Sequence, residues 1–146
     1  GVFVDQWTHF SSFDGIAIDA NGFIYGAGGD GKIAKYDGSG NLVTQWTLQG
    51  FPQDLVRVRA DNRGNIFAVD NAGHRVQAFS NAGSFLLEWG GFGYGPGQFN
   101  YPIAIATDSD GNIFVGDTNS NRIQKFAPGA TPVAAPTWGQ VKARYR

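Results

Sequence analysis

The stretch TDSDGNIFVGD, residues 107–117, contains the pattern that decides the fold of this chain. Two aspartates two positions apart, followed by Gly and Asn, look like the start of a calcium loop. Such a loop needs six or more oxygen ligands and usually ends in a bidentate Glu, but Glu88 is the only Glu in the chain and lies upstream. A hairpin turn accounts for the pattern instead, because Gly111 can supply a positive φ and Asp108 can accept backbone N–H groups. The sequence therefore predicts a turn here and no metal site.

The same turn pattern occurs in two further places, as DANG at residues 19–22 and DNRG at residues 61–64. The three turn glycines, Gly22, Gly64 and Gly111, are 42 and 47 residues apart. Each is flanked by short segments of alternating apolar and polar residues, a pattern that is typical of β-strands and hairpins. A repeat of roughly 40–45 residues with four strands is the pattern of one propeller blade.

The strands of the three copies follow one order, which we label a to d. Strand a carries alternating Ile or Val, strand b follows the turn glycine, and strand c follows a second polar turn. Strand d ends in Trp in the first two copies, at Trp46 and Trp89. The third copy has a poor strand d, because Pro128, Pro132 and Pro136 precede Trp138 and proline disfavours a paired strand.

Residues 108–126 combine Asp-x-x-Gly-Asn-Ile-Phe-Val-x-Asp with Asn-Arg-Ile-Gln-Lys-Phe, and GPGQFNYP precedes them at residues 95–102. This combination resembles the NHL repeat, a blade unit of mostly six-bladed β-propellers. The resemblance extends over residues 1 to about 128 and is weakest in the first copy, which has a shorter b–c turn and lacks the Asp after strand b. It implies an all-β fold, a β-propeller built from four-stranded NHL-type blades, with three blades in this chain.

We expect five segments in the chain. These are an outer strand d at residues 1–7 that completes a neighbouring blade, blades at 8–46, 47–89 and 90–128, and a Pro-containing basic tail at 129–146. The first segment, GVFVDQW, matches the strand-d segments at residues 40–46 and 83–89. Propellers typically have four to eight blades, so we expect the ring to be closed by a second copy of the chain, as a homodimer, or by the remainder of a longer chain. The chain has no Met, even at position 1, so we expect a processed product, a fragment or only part of the protein.

Arg57 and Arg59 are the most distinctive pair of charged residues. They occupy strand a of the second copy, where the sister copies have Gly15 and Ala17, or Ala104 and Ala106. Strand a is the innermost strand of a blade, beside the central channel. Two guanidinium groups there predict a site for an anion or a carboxylate. The alternative is a salt-bridged channel lining, with Asp54 or Asp61 as partners.

The connection that follows Trp89 is long, rich in Gly and aromatic. Loops on one face of a propeller often carry recognition, and exposed aromatic side chains suit contact with a peptide or a sugar. Phe92 and Tyr94 are therefore predicted to be surface residues that bind a ligand. Phe99 and Tyr101 are predicted instead to plug the space between blades. His74 is interpreted as a structural residue of the b–c turn.

Composition narrows the classes of function. The chain has no Cys, which excludes disulfides, zinc thiolates and Cys nucleophiles. The net charge is −1, and aspartates offset the strand-c cations, which does not favour binding of nucleic acid. No apolar run has the length of a membrane span. His9 and His74 are far apart in sequence and are a poor match to the several His residues that NHL-like propeller lyases use.

We expect a non-catalytic binding or scaffold module that uses a propeller face and the central channel for a protein, a peptide or a small anionic ligand, without a cofactor. One alternative is an NHL-like lyase whose metal site is completed by the missing half of the ring. Another is a structural subunit of a surface assembly. The residues indicate no compartment, and an extracellular or periplasmic location is implied only by the resemblance.

Overall fold

The computed structural model describes residues 1–7, 13–50 and 56–127. These residues form three antiparallel β-sheets, which confirms the all-β fold class. The strands are β1 Gly15–Ile18, β2 Ile24–Ala27, β3 Lys32–Tyr36, β4 Leu42–Thr47, β5 Val56–Ala60, β6 Asn65–Asp70, β7 Arg75–Ser80, β8 Phe85–Gly90, β9 Pro102–Thr107, β10 Ile113–Asp117 and β11 Arg122–Phe126. A short 3-10 turn, Thr118–Ser120, joins β10 to β11.

Each sheet is a meander in which every strand pairs with the next strand in sequence. The first sheet has the order β1-β2-β3-β4 and the second has the order β5-β6-β7-β8. The third contains β9, β10 and β11, so within the described residues β11 has no strand on its outer edge. The prolines that argued against a fourth strand, and the predicted basic tail, lie outside the described residues. Residues 1–7 form no strand with the rest of this chain, and their pairing with a neighbouring blade stays a prediction.

The hairpin turn predicted from residues 107–117 is present between the first two strands of every sheet. Gly22, Gly64 and Gly111 each have φ of 83°, a backbone conformation that favours glycine. In the third sheet, Oδ1 of Asp108 accepts the backbone N–H groups of Asp110 and Asn112, at 3.0 and 2.8 Å. Its Oδ2 accepts the Asn112 side-chain amide at 2.8 Å. The carboxylate oxygens therefore close the turn.

The Asp108 turn should make the stability of the protein sensitive to acid. The hydrogen bond from the Asn112 side chain, together with backbone N–H groups, lowers the pKa of Asp108 below its usual value. A carboxyl whose pKa is lower in the folded state stabilises the fold above its unfolded pKa of about 3.9, and that contribution is lost as the pH falls through the folded pKa. We expect Asp108→Asn to lower the urea midpoint at pH 7 and to approach the wild type at pH 2. A deficit that is equal at both pH values would contradict this.

Two separate apolar cores lie between the sheets. Both contain inward-facing strand residues from the two sheets that they join. The core between the first two sheets comprises Ala17, Tyr25, Ala27, Ile33, Leu48, Val56, Val58, Ala60, Ile66, Ala68 and Phe79. The core between the second and third comprises Phe67, Val69, Val76, Ala78, Trp89, Phe99, Ile113, Val115 and Phe126. Each strand-d tryptophan reaches the next sheet, since Trp46 contacts Phe79 with ring centroids 6.0 Å apart and Trp89 contacts Phe126 at 5.6 Å.

The tryptophans also pack on the glycine of the next c–d turn. A Cβ on Gly83 would lie 2.6 Å from the Trp46 ring, so only glycine leaves room for that ring. The same relation joins Trp7 and Gly40, where a Cβ would lie 2.5 Å from the indole. Trp7 therefore occupies, against the first sheet, the place that the strand-d tryptophan of a preceding blade would occupy.

Candidate functional site

Phe92 and Tyr94 lie on the surface, as the sequence predicts. Their side chains are 62% and 64% exposed, in the loop that joins β8 to β9. The rings contact each other edge to face, with centroids 6.2 Å apart. The loop is tied back at Phe92, which forms a β-bridge with the buried Phe99. The exposed rings of Phe92 and Tyr94 therefore belong to a loop that the buried Phe99 anchors in the core.

Two more rings extend this surface. His74, in the turn between β6 and β7, contacts Phe92 with ring centroids 5.1 Å apart. It also contacts Tyr101 at 4.8 Å, and the backbone N–H of Tyr101 donates to His74 Nδ1 at 3.1 Å. We call His74, Phe92, Tyr94 and Tyr101 the aromatic patch. It lies where the b–c turn of the second blade meets the loop that enters the third.

The structure corrects the prediction for Tyr101. Phe99 is fully buried and packs against Phe126, as expected for a plug between blades. Tyr101 is 44% exposed and is part of the aromatic patch. The reason is its backbone, because φ of 52° turns the chain at Tyr101 and directs the side chain away from the seam that Phe99 fills.

Two residues of the patch have left-handed backbone conformations. His74 has φ of 53° and Tyr101 has φ of 52°. A non-glycine residue in this region is uncommon and costs free energy, and such residues concentrate at functional sites. At the position of His74 in the other two b–c turns stand Gly31 and Asn121, both with positive φ. The b–c turn therefore requires a positive φ at this position, and in the second blade the residue that adopts it is a histidine.

An ion pair with a buried carboxylate fixes the loop that carries Tyr94. Asp117 is fully buried and accepts Arg122 Nε at 2.9 Å and the backbone N–H of Asn100 at 2.6 Å. The other guanidinium nitrogens of Arg122 donate to the carbonyls of Tyr94, Gly95 and Gln98, at 2.7, 2.8 and 2.9 Å. The Asn100 amide donates to the Tyr94 hydroxyl at 3.0 Å. The loop is therefore held by its backbone, which leaves the rings exposed.

The second blade contains the same arrangement one repeat earlier. Arg75 Nε donates to Asp70 at 2.9 Å, and another guanidinium nitrogen donates to the carbonyl of Gln49 in the preceding loop. The first blade has Gly28 at the position of this aspartate. The Asp–Arg pair therefore belongs to the repeat, and its role is to attach the incoming loop to its blade.

The two arginines of strand a lie apart from the aromatic patch and are directed to neighbouring blades. Arg57 is partly buried and donates to the backbone carbonyl of Asp14 in the first blade. Arg59 is exposed, and its Nε donates to the Thr107 hydroxyl of the third blade at 3.3 Å. The carboxylate of Asp61 is bonded to its own turn, and Asp54 lies outside the described residues. The predicted anion site stays a prediction, and both guanidinium groups have protein partners.

No three His, Asp or Glu side chains among residues 1–7, 13–50 and 56–127 form a group that could hold a metal ion. The described part of the chain also contains no helix of the length and apolarity that crossing a bilayer requires. His9 lies outside the described residues.

Sequence reasoning missed His74 and Tyr101 as members of the site. The signal for His74 was available, because an imidazole stands where the aligned turns have Gly31 and Asn121. The partnership with Tyr101, 27 residues later, depends on how the second and third blades pack. No local pattern in the sequence encodes that packing.

Comparison with known proteins agrees with this geometry. The family model of the NHL repeat matches residues 99–126, which include the loop anchor Phe99 and all of the third sheet. No curated protein matches the sequence significantly.

Similar solved structures are propellers. A streptogramin B lyase is 23% identical with a TM-score of 0.63, and the match covers 77% of this chain and 36% of that one. The virginiamycin B lyase from Staphylococcus aureus is 16% identical with a TM-score of 0.57, covering 80% and 41%. A WD40 β-propeller domain is 18% identical with a TM-score of 0.56, covering 73% and 33%.

The chain spans less than half the length of each of these solved structures. At such identities the likeness shows the fold alone. The NHL-repeat match at residues 99–126, the three sheets and the similar solved structures together support a β-propeller fold built from blades.

Proposed function

We propose that these blades form a non-catalytic module that binds a protein or peptide through the aromatic patch. Propeller folds support binding and scaffold roles in general, and the patch supports the more specific role. The observation that carries the proposal is the exposure of Phe92 and Tyr94 on a loop held by Arg122 and Asp117. Aromatic side chains bury a large area at a low cost in side-chain entropy, and they dominate the binding energy of many interfaces.

The order of the patch favours binding further. A ligand need not pay to arrange rings that already contact one another and whose loop backbone is fixed. His74 and the Tyr94 hydroxyl add polar atoms beside the apolar rings. A peptide segment with apolar side chains and free backbone amides matches that combination.

The test is selection of peptides from a random phage-displayed library on the wild-type protein. We expect peptides whose Kd rises about 30-fold or more in Phe92→Ala/Tyr94→Ala, the loss of one interface hot spot. Leu86→Ala is the matched control, because Leu86 is an exposed apolar residue on β8, outside the patch. Selected peptides that bind the double variant as tightly as the wild type would refute the aromatic patch as the site.

A small anionic ligand at Arg57 and Arg59 is a second part of the proposal. Arg59 supports it, because this side chain is exposed and its bond to Thr107 is long. Arg57 supports it less, since its guanidinium donates to the Asp14 carbonyl. Titration with inorganic phosphate, compared between wild type and Arg59→Ala, separates ligand binding from a role in joining blades.

Two other functions are kept as alternatives. The likeness to streptogramin lyases extends to the fold, and a lyase would need a metal site completed by other blades. Stoichiometric metal in the purified protein would favour that alternative. A structural subunit of a surface assembly, at an extracellular or periplasmic location, would assemble into particles larger than one closed ring.

A further inference from the structure

The first blade exposes residues that the second blade buries. Ile16 and Ile18 of β1 are 72% and 60% exposed. The residues at the same distance before the turn glycine of the second blade are Val58 and Ala60, and both are buried in the first core. We call the interface between two adjacent blades a seam. This face of the first blade is therefore equivalent to the face with which the second blade packs against the blade before it.

The third blade exposes the complementary half. Ile123 of β11 is 75% exposed, whereas its equivalent Val76 in the second blade is fully buried. Beside it lies a groove of about 550 Å³ whose lining includes Ile103, Ala104, Gly116 and Ile123. A preceding or following blade covers such positions in the two seams that the structure shows.

A lysine in the first seam indicates which part of a neighbouring blade should pack beside this groove. In the first seam, Lys35 is buried, lies 4.0 Å from the Phe23 ring centroid and donates to the backbone carbonyl of Asn81 at 3.1 Å. Asn81 is in the c–d turn of the following blade, two residues before Gly83. Lys35 thus joins one blade to the c–d turn of the next.

The third blade carries the same lysine without its acceptor. Lys125 pairs in register with Phe114, as Lys35 pairs with Tyr25, and lies 5.3 Å from the Phe114 ring centroid. It is exposed and has no hydrogen-bond acceptor among the described residues. The residue of the first blade that corresponds to Asn81 is Gly38, two before Gly40, and it is exposed in its c–d turn.

We propose that a second copy of this chain closes the ring, with the third blade of each copy against the first blade of the other. Lys125 then donates to the Gly38 carbonyl across each of two identical seams. A two-fold dimer satisfies both faces of both copies and leaves none open. Six blades in total lie within the range of known propellers.

The position of Trp7 fits the place that residues 1–7 take in this dimer. Trp7 lies on Gly40 as Trp46 lies on Gly83, and Val2, Phe3 and Val4 before it are 91%, 75% and 89% exposed. In the dimer, residues 1–7 of one copy run beside the open edge of β11 in the other. They supply there the fourth strand that the third sheet lacks within the described residues. This inference is independent of the aromatic patch.

Analytical ultracentrifugation of the 146-residue chain tests the proposal. We expect a species of twice 15.7 kDa at micromolar concentration. Ile16→Asp and Ile123→Lys each alter one face, so each damages both seams of its own homodimer, and each variant alone should sediment as a monomer. Mixed, they should form a heterodimer, because one seam is then fully wild type and the other pairs opposite charges.

Lys125→Ala should raise the dimer Kd about 100-fold, because each of the two seams loses one hydrogen bond from a charged group and each such bond contributes about tenfold. Lys32→Ala is the control, since Lys32 is exposed on β3 and pairs only with Asp30 of its own turn among the described residues. Far-UV circular dichroism confirms that each variant is folded. A wild-type chain that is a folded monomer, or two face variants that fail to associate on mixing, would overturn the proposal.

Discussion

Replacing Asp117 with alanine is expected to lower the free energy of unfolding by about 3–5 kcal/mol, because several donors lose the buried carboxylate that accepts their hydrogen bonds. Asp117 is fully buried, and its carboxylate accepts Arg122, the Asn100 backbone and the Gln124 amide. Without it, the Arg122 guanidinium lacks its counter-charge while it still bonds three loop carbonyls. Since a domain is stable by about 5–15 kcal/mol in total, the variant should lose a large fraction of its stability.

Urea unfolding followed by tryptophan fluorescence measures this loss. Asp110→Ala is the control, because Asp110 is an exposed residue of the nearby a–b turn whose carboxylate is not part of the network. We expect the control to unfold at the wild-type midpoint. If both variants unfolded at the same urea concentration, the ion pair would not be what holds the loop to the third blade.

Replacing Phe99 with alanine is expected to cost about 3–5 kcal/mol as well, the range for truncating a buried aromatic ring. The ring is fully buried, packs against Phe126 with centroids 5.7 Å apart and lies close to Gly90. It is contributed by the loop and not by a strand, so its loss also detaches the segment that carries the aromatic patch. The measurement is again the urea midpoint, together with affinity for a selected peptide.

Phe92→Ala is the matched control, because Phe92 is the bridge partner of Phe99 and is 62% exposed. It should leave stability nearly unchanged and weaken peptide binding, whereas Phe99→Ala should reduce both. The opposite assignment, with stability lost at Phe92 and retained at Phe99, would show that the loop is anchored in another way.

The strands could be predicted because each depends on local chemistry. Alternating Ile and Val mark the inner strands, and the Asp-x-x-Gly pattern sets a turn that its own side chain closes, as Asp108 does. The repeat strengthened the prediction. A weak pattern that occurs three times at a similar spacing indicates a blade, whereas a single occurrence would not. The position of Tyr101 was predicted wrongly, because no sequence pattern indicated its left-handed backbone conformation.

The candidate site was only half predicted. Phe92 and Tyr94 were recognised because long loops rich in aromatic residues lie on surfaces. His74 and Tyr101 join them through contacts between residues 27 positions apart, and such contacts depend on the packing of two blades. The partners of Arg57 and Arg59 were missed for the same reason, because Asp14 and Thr107 belong to other blades.

The two cores share no residue, and this has a consequence for cooperativity. In an array where each unit contacts only its neighbours, stability is approximately a sum of unit terms and interface terms, as in a one-dimensional lattice. The middle sheet is stabilised by two interfaces and each outer sheet by one. Unfolding can therefore start at either outer sheet and proceed inward. The chain unfolds as a single cooperative unit only to the extent that its outer sheets also pack against neighbouring blades.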